Sequence, residues 1–410
     1  MASSIDLHED GMAELNGSCD PRFERVYDAL ANNIKSGKEV GASLCVTIDG
    51  EQVIDLWGGW RDKERVHPWT ADTIVNVFSA TKTVASLAVL MLHDRGTLDI
   101  FSPVAKYWPE FAQNGKDKVE VRHLLSHTVG LPAWEPPFSM ADALDMETST
   151  ARLAAQAPWW EPGTRGSYHA SSFGHLVGEL VRRASGQTIS QFMANEIAGP
   201  LEADVYLGLQ GAQLDRVATV YPPPEGEKPP VASARKPVAP GDAMAVERAI
   251  QARTKLGSFS GQKRDPLVLF NSPEWRRSEL AGSSGHANGR GLARAMTVLA
   301  NGGISRGRKL LSPETIDLIF REQFNGTDSY YLKPIRWGIG YALAPLEQKA
   351  RGPLPFLRPG KRTCCWYGAG GALSLADVER GIAFGYAMNQ CQNGRHMTNG
   401  TYYDAFYECL

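Results

Sequence analysis

From Val84 to Leu92 every position but Ser86 is apolar, and most of these residues are good helix formers. The run closes at Arg95-Gly96, where glycine can take the left-handed conformation that ends a helix and arginine suits its negative end. A helix that is apolar on nearly every side belongs in a core. Its start is different, because Ser79 and Lys82 stand three residues apart and so share one helical face. A lysine there works against the positive N-terminal end of the helix.

The same patterning places the other elements. Residues 42–50 and 51–59 read as two strands meeting at Asp49-Gly50, a short-range hairpin signal. A helix is expected over 23–34, after a polar leader. Further helices are expected over 119–127, 172–185 and 189–197, with loops between them. Residues 219–242 hold Pro222-Pro223-Pro224 and four more prolines, which suits a long surface loop. Helices return at 289–301 and 312–320, and strands at 337–343, 371–376 and 381–388. Strands at both chain ends with helices between predict an α+β fold. A central antiparallel sheet flanked by helices is expected from residues 20–95 and 285–410, with a mainly helical subdomain over 96–284 and the active site at their junction.

Composition narrows the function classes. The chain has 410 residues and a net charge of -2, with no basic cluster, so no nucleic-acid partner is expected. No apolar run reaches the roughly 20 residues of a membrane helix, so no membrane span is expected. The first ten residues lack a basic segment followed by an apolar one, unlike a secretory signal. Six cysteines are scattered without CxxC or zinc-like spacing, which suits free thiols in a cytoplasmic protein. Cys364-Cys365 is a vicinal pair, poor geometry for a disulfide. Monomer and homo-oligomer are both left open.

A serine and a lysine three apart can serve as nucleophile and base, but the pattern alone is weak. Ser233-Ala234-Arg235-Lys236 shows the same spacing inside the Pro-rich segment. Ser79 differs by its setting at the mouth of a core helix. It does not read as a capping box, because Lys82 occupies the position that Glu or Gln would fill. His123 and His127 stand four apart, as metal ligands on a helix can, but no Glu follows His123 in HExxH fashion and no third ligand is evident, so they read as structural hydrogen-bonding groups. No GxSxG elbow in a strand–turn–helix setting and no Gly-rich phosphate loop occurs.

Four segments join the argument. They are Phe78-Ser79-Ala80-Thr81-Lys82, His123-Leu124-Leu125-Ser126-His127-Thr128-Val129-Gly130-Leu131-Pro132, Glu161-Pro162-Gly163-Thr164 leading to Tyr168-His169-Ala170, and Trp366-Tyr367-Gly368-Ala369-Gly370-Gly371. In this order the chain resembles the serine β-lactamase/penicillin-binding-protein superfamily, and within it the class C-like family VIII carboxylesterases, over about residues 25–400. The resemblance implies Ser79 as nucleophile, Lys82 as its base with a depressed pKa, and Tyr168 as a second acid/base. A cation beside the phenol would make Tyr168 easier to ionise. Backbone N–H groups of Ser79 and Ala369 would form the oxyanion hole.

Two positions depart from the lactamase pattern. Ala170 stands where those enzymes carry Asn, and Trp366 stands where they carry Lys. An indole offers one neutral donor and apolar area in place of a charge that would hold a carboxylate. The expected activity is hydrolysis of a small-molecule carboxylic ester of short to medium, neutral acyl chain, without metal or cofactor. Trp366, Tyr367, Gly368, Trp134, Phe138 and Ala170 are the expected substrate-binding residues. Acyl transfer to an alcohol, weak lactam cleavage, and an inactive binding homologue remain alternatives.

Overall fold

In the computed structural model, which describes residues 15–224, 250–251, 253–254, 266–347, 352–393 and 397–410, strands from the two chain ends form one sheet. They are β1 (Leu15–Cys19), β2 (Gly41–Ile48), β3 (Glu51–Gly59), β4 (Phe324–Asp328), β5 (Lys333–Trp337), β6 (Ala342–Leu343), β7 (Thr363–Tyr367), β8 (Leu373–Asp377) and β9 (Ile382–Met388). Every neighbouring pair is antiparallel, in the order β1-β3-β2-β9-β8-β7-β6-β5-β4. The chain closes on itself where β9 meets β2, with Met388 opposite Ala42. The expected hairpin forms, and Asp49 and Gly50 take φ of 51° and 83°, as its tight turn demands.

Five helices matter for the site: α1 (Glu24–Lys35), α2 (Thr81–Asp94), α3 (Phe173–Ser185), α4 (Gly289–Ala300) and α5 (Thr398–Tyr407). Side chains alternate along β9 and so decide which helix lies on which face. Phe384 and Tyr386 meet Phe406 and Tyr402 of α5, which packs with α1. Gly385 points the other way, where a Cβ would fall 2.1 Å from the Gly289 carbonyl, so glycine is what lets α4 close on the sheet. Ser374 is opposite Gly385 and shares that face, and its hydroxyl bonds Thr83 of α2 at 2.9 Å. Trp366 is opposite Ser374 and faces the same way. The N-terminal end of α2 and the indole of Trp366 are thereby brought to one side of the sheet.

From Thr81 to Leu92 every residue of α2 is buried. Burying each Val, Leu or Met there contributes about 1.5–3 kcal/mol, which offsets the cost of carrying a lysine inside. Ser86 Oγ bonds the Gly340 carbonyl at 2.9 Å and the Tyr341 hydroxyl bonds the Thr83 carbonyl at 2.8 Å, tying the helix to the β5–β6 turn.

Several expected boundaries change. Residues 337–343 do not make one strand. They turn between β5 and β6, with Gly340 at φ 87° and the Gly338 N–H on the Tyr341 carbonyl. The helix expected over 119–127 spans only Val121–Leu125, and His127 lies beyond it at φ 60°. The segment expected as one helix over 189–197 is an α turn, Ile189–Phe192, that widens into a π-helix over Met193–Ala198. The polar leader holds β1, paired along β3. Of the Pro-rich segment, 225–242 lies outside the described residues, as does the serine–lysine pair at 233 and 236. All six cysteines are unpaired. Among the described residues no helix is long and apolar enough to cross a membrane.

Candidate active site

The approach to Ser79 is held from outside its own helix. Asn76 donates its amide to the carbonyls of Ser283 and Gly285 at 3.0 and 2.9 Å, and the Val77 N–H bonds the Gly285 carbonyl. Phe78 then takes φ of 46° with its ring buried edge-on against Phe270. Such a backbone costs an L-residue about 1–3 kcal/mol and persists where packing over-determines it. Ser79 follows in the tight turn Phe78–Ala80, before α2 begins. No side chain caps this turn or α2, so Ser79 is not an N-cap serine.

Lys82 is 2 % exposed. Its Nζ lies 2.6 Å from the Gly282 carbonyl, 3.2 Å from the Ala170 carbonyl and 3.1 Å from Ser79 Oγ. Burial pushes the ammonium well below the usual lysine range. In the neutral amine the two N–H bonds go to the two carbonyls, and the lone pair is left facing the serine hydroxyl, which then donates to it. The Gly282 carbonyl reaches the amine because Gly174 and Gly282 pack against each other. A Cβ on Gly174 would fall 2.2 Å from the Gly282 nitrogen.

Tyr168 is buried with its ring 4.9 Å from Lys82 Nζ. Its hydroxyl oxygen accepts the Trp366 indole N–H at 2.9 Å, and the Ser79 side chain bonds it too. Both contacts favour the phenolate, yet burial outweighs them and the pKa is raised. This corrects the expectation of an easily ionised phenol, since desolvation of the phenol itself outweighs what its neighbours give. The ring lies parallel to Trp337 at 6.1 Å and is flanked by Tyr330, Tyr331 and His127.

The Trp366-Tyr367-Gly368 strand end closes the group. Gly368 passes so near Val77 that a Cβ would fall 2.1 Å from the Val77 carbonyl, so glycine is what lets this strand end close on the residue before the Ser79 turn. Trp366 does not offer its indole N–H to the surroundings, because Tyr168 takes it. The Tyr367 hydroxyl bonds that of Tyr331 at 3.2 Å. Trp134 and Phe138 stack on each other at 4.1 Å inside the core, with further contacts to His175 and Arg152. His127 and His169 are buried and bonded to the main chain. The Leu131 N–H donates to His169 Nε2, and the His169 N–H donates to His127 Nδ1. Burial drives His127 down and His169 to about 3, so both are neutral. Among the described residues no cluster of three or more metal-ligating side chains occurs.

A family profile described as Beta-lactamase matches residues 25–407. The chain belongs to the beta-lactamase family. Within it, the esterase/beta-lactamase LipL of Mycobacterium tuberculosis is 30% identical over 399 residues, covering 96% of this chain and 87% of LipL. The crystal structure of a family VIII carboxylesterase superposes with a TM-score of 0.83 at 36% identity, covering 97% of this chain and all of that one. A penicillin-binding-protein homologue from Caulobacter crescentus gives 0.81 at 32% identity, over 97% of this chain and 100% of its own.

Sequence reasoning named Ser79, Lys82, Tyr168 and Trp366, which the fold brings into contact. It missed the carbonyl of Gly282, the indole of Trp337 and the carboxylate of Asp328. Asp328 bonds the Tyr168 N–H at 2.8 Å and the Trp337 indole at 3.1 Å. A backbone carbonyl leaves no trace in residue type, although the glycines at 174 and 282 were a trace of their close packing.

Proposed function

We propose that this protein is a cytoplasmic serine ester hydrolase that cleaves small carboxylic esters of short to medium, neutral acyl chain through a Ser79 acyl-enzyme. The site lies between the sheet-bearing domain and the helical insertion. Neutral Lys82 takes the Ser79 proton as Oγ attacks the ester carbon. The N–H groups of Ser79 and Ala369 hold the oxyanion. As the carbon–oxygen bond to the leaving alkoxide breaks, the Tyr168 hydroxyl protonates it and recovers a proton from Lys82. Water then attacks the acyl carbon, gives a proton to the same pair, and Ser79 leaves protonated.

The observation that carries this reading is the amine of Lys82, buried with two main-chain carbonyls on it and Ser79 Oγ at 3.1 Å. The choice of ester over lactam rests on Trp366, which is uncharged, buried and engaged with Tyr168, so it brings no cation to a substrate carboxylate. The name of one structural relative, a family VIII carboxylesterase, agrees with this choice, while that of LipL carries both esterase and beta-lactamase. The test is hydrolysis of p-nitrophenyl esters of graded chain length beside a chromogenic cephalosporin, with Ser79→Ala and mass spectrometry of the acylated chain. Ester cleavage that vanishes in Ser79→Ala, with one acyl group on Ser79, is the expected result. Activity surviving in Ser79→Ala would sink the mechanism, and fast lactam opening without ester cleavage would sink the substrate class.

A further inference from the structure

Asp328 ends β4, fully buried, and its two oxygens do different work. Oδ1 accepts the N–H groups of Tyr330 and Tyr331 at 2.9 and 3.0 Å, the local turn that an aspartate commonly makes. Oδ2 reaches across 160 residues of sequence to the Tyr168 N–H at 2.8 Å, and also accepts the Trp337 indole at 3.1 Å. The Ser329 N–H bonds the Gly166 carbonyl at 3.0 Å and fastens the same loop to the chain entering Tyr168. One carboxylate thus touches the backbone of Tyr168, the indole parallel to its ring, and the backbone of the two tyrosines that flank it. A turn alone would use Oδ1 and leave Oδ2 to solvent.

We propose that Asp328 is a positioning residue for Tyr168, holding the phenol where it can protonate the leaving oxygen of an ester. The proposal rests on the acyl-enzyme reading given above. All four partners of the carboxylate are N–H donors, so the site calls for an acceptor at both oxygens. Asp328→Asn keeps the shape but turns one oxygen into an NH2 facing a donor, which releases either the turn or Tyr168. The catalytic loss then depends on how much the substrate needs Tyr168. A p-nitrophenolate departs without a proton, whereas an ethoxide does not. A structural loss that merely lowered the amount of competent enzyme would scale both substrates alike.

The experiment compares kcat/KM, which reports steps through acylation, for p-nitrophenyl butyrate and ethyl butyrate in the wild type and Asp328→Asn. The expected result is a fall on the order of 100-fold for the ethyl ester, about fivefold or less for the nitrophenyl ester, and little change in KM. Equal losses on both esters, or none, overturn the proposal. If Asp328→Asn does not fold by circular dichroism, Trp337→Phe removes one Oδ2 donor and is read in the same way. There an ethyl-selective loss of about tenfold supports the proposal, and an equal loss or none refutes it. Ser79→Ala in the same assay separates two kinds of failure. An active Ser79→Ala means the acyl-enzyme reading is wrong, while an inactive one beside equal losses in Asp328→Asn means only the positioning role is wrong.

Discussion

Replacing Trp366 by Phe removes one N–H from Tyr168 and little else that is polar. In the resting enzyme that bond joins two neutral groups, since burial keeps the Tyr168 phenol protonated. When Tyr168 gives up its proton, the same oxygen carries negative charge in a place closed to water. The Trp366 indole N–H is then the side-chain donor on it, since Ser79 has given its proton to Lys82 and carries the acyl group. A hydrogen bond between neutral groups is worth about 0.5–1.5 kcal/mol, and one to a charged group about 1.5–3 kcal/mol. Because the bond exists in both states, only the difference of about 1–1.5 kcal/mol enters kcat/KM, roughly 5- to 13-fold in rate at tenfold per 1.36 kcal/mol, whereas a bond that stays neutral throughout changes nothing. The size of the effect therefore reports the charge on Tyr168 in the transition state.

Trp366 also packs with Tyr168, Trp337 and Ala342, so the smaller ring leaves a void costing about 1–2 kcal/mol of stability. A thermal melt separates that term, because a folded variant at the assay temperature still presents Ser79 and Lys82. The assay is kcat/KM for an alkyl ester, corrected for the folded fraction. A fall of about fivefold or more is expected. A fall of less than about threefold in a folded variant would refute the charge argument, leaving the indole as packing. A change confined to KM would instead place Trp366 against substrate.

Two further predictions follow. In Lys82→Arg the guanidinium stays protonated and cannot accept the Ser79 proton, so acyl-enzyme formation should fall on the order of 1,000-fold; a near-normal burst of p-nitrophenol would remove Lys82 from the role of base. Glu39 is buried with the hydroxyls of Tyr386, Tyr402 and Thr398 on Oε1, and its pKa is raised from 4.5 to about 7 by burial. The folded chain therefore holds a proton that the unfolded chain loses between pH 4.5 and 7. That contribution to stability is complete below pH 4.5 and lost as pH rises through 7, by ~3 kcal/mol in all. Unfolding in urea from pH 5 to 8 should show a stability difference between wild type and Glu39→Gln that changes across this window, with Lys82 and Asp328 common to both; parallel curves would show that Glu39 does not titrate there.

The parts of the fold that could be read from the sequence are those whose pattern is local. An Asp-Gly pair between two apolar segments specifies its own turn, and a helix apolar all round has only a core to enter. The strands that were missed lack such a signature. β1 is Leu15-Asn16-Gly17-Ser18-Cys19, half exposed, and becomes a strand because β3 offers it a row of partners. β4 and β5 contain Gly326 and Pro334, residues that read as turns and are extended here by pairing with each other. Gly338 and Gly340 hide a reversal inside an apolar run that looks continuous.

The site divides along the same line. Ser79 and Lys82 were legible because one helical turn relates them, whatever the rest of the chain does. The environment of Lys82 was not, because its acceptors are main-chain carbonyls 88 and 200 residues away in sequence. Those carbonyls carry the chemistry as much as the side chain does. A buried lysine without acceptors would swing its amine freely or go elsewhere, whereas two fixed carbonyls take both N–H bonds and leave one direction for the lone pair. The sequence could also name Tyr168 but not the balance of forces on it. A nearby lysine lowers a phenol's pKa only while it is charged, and here the same burial that pushes Lys82 down pushes Tyr168 up. Burial thus shifts base and acid toward the protonation states that acylation needs, an unprotonated amine beside the hydroxyl to be activated and a protonated phenol beside the oxygen that must leave.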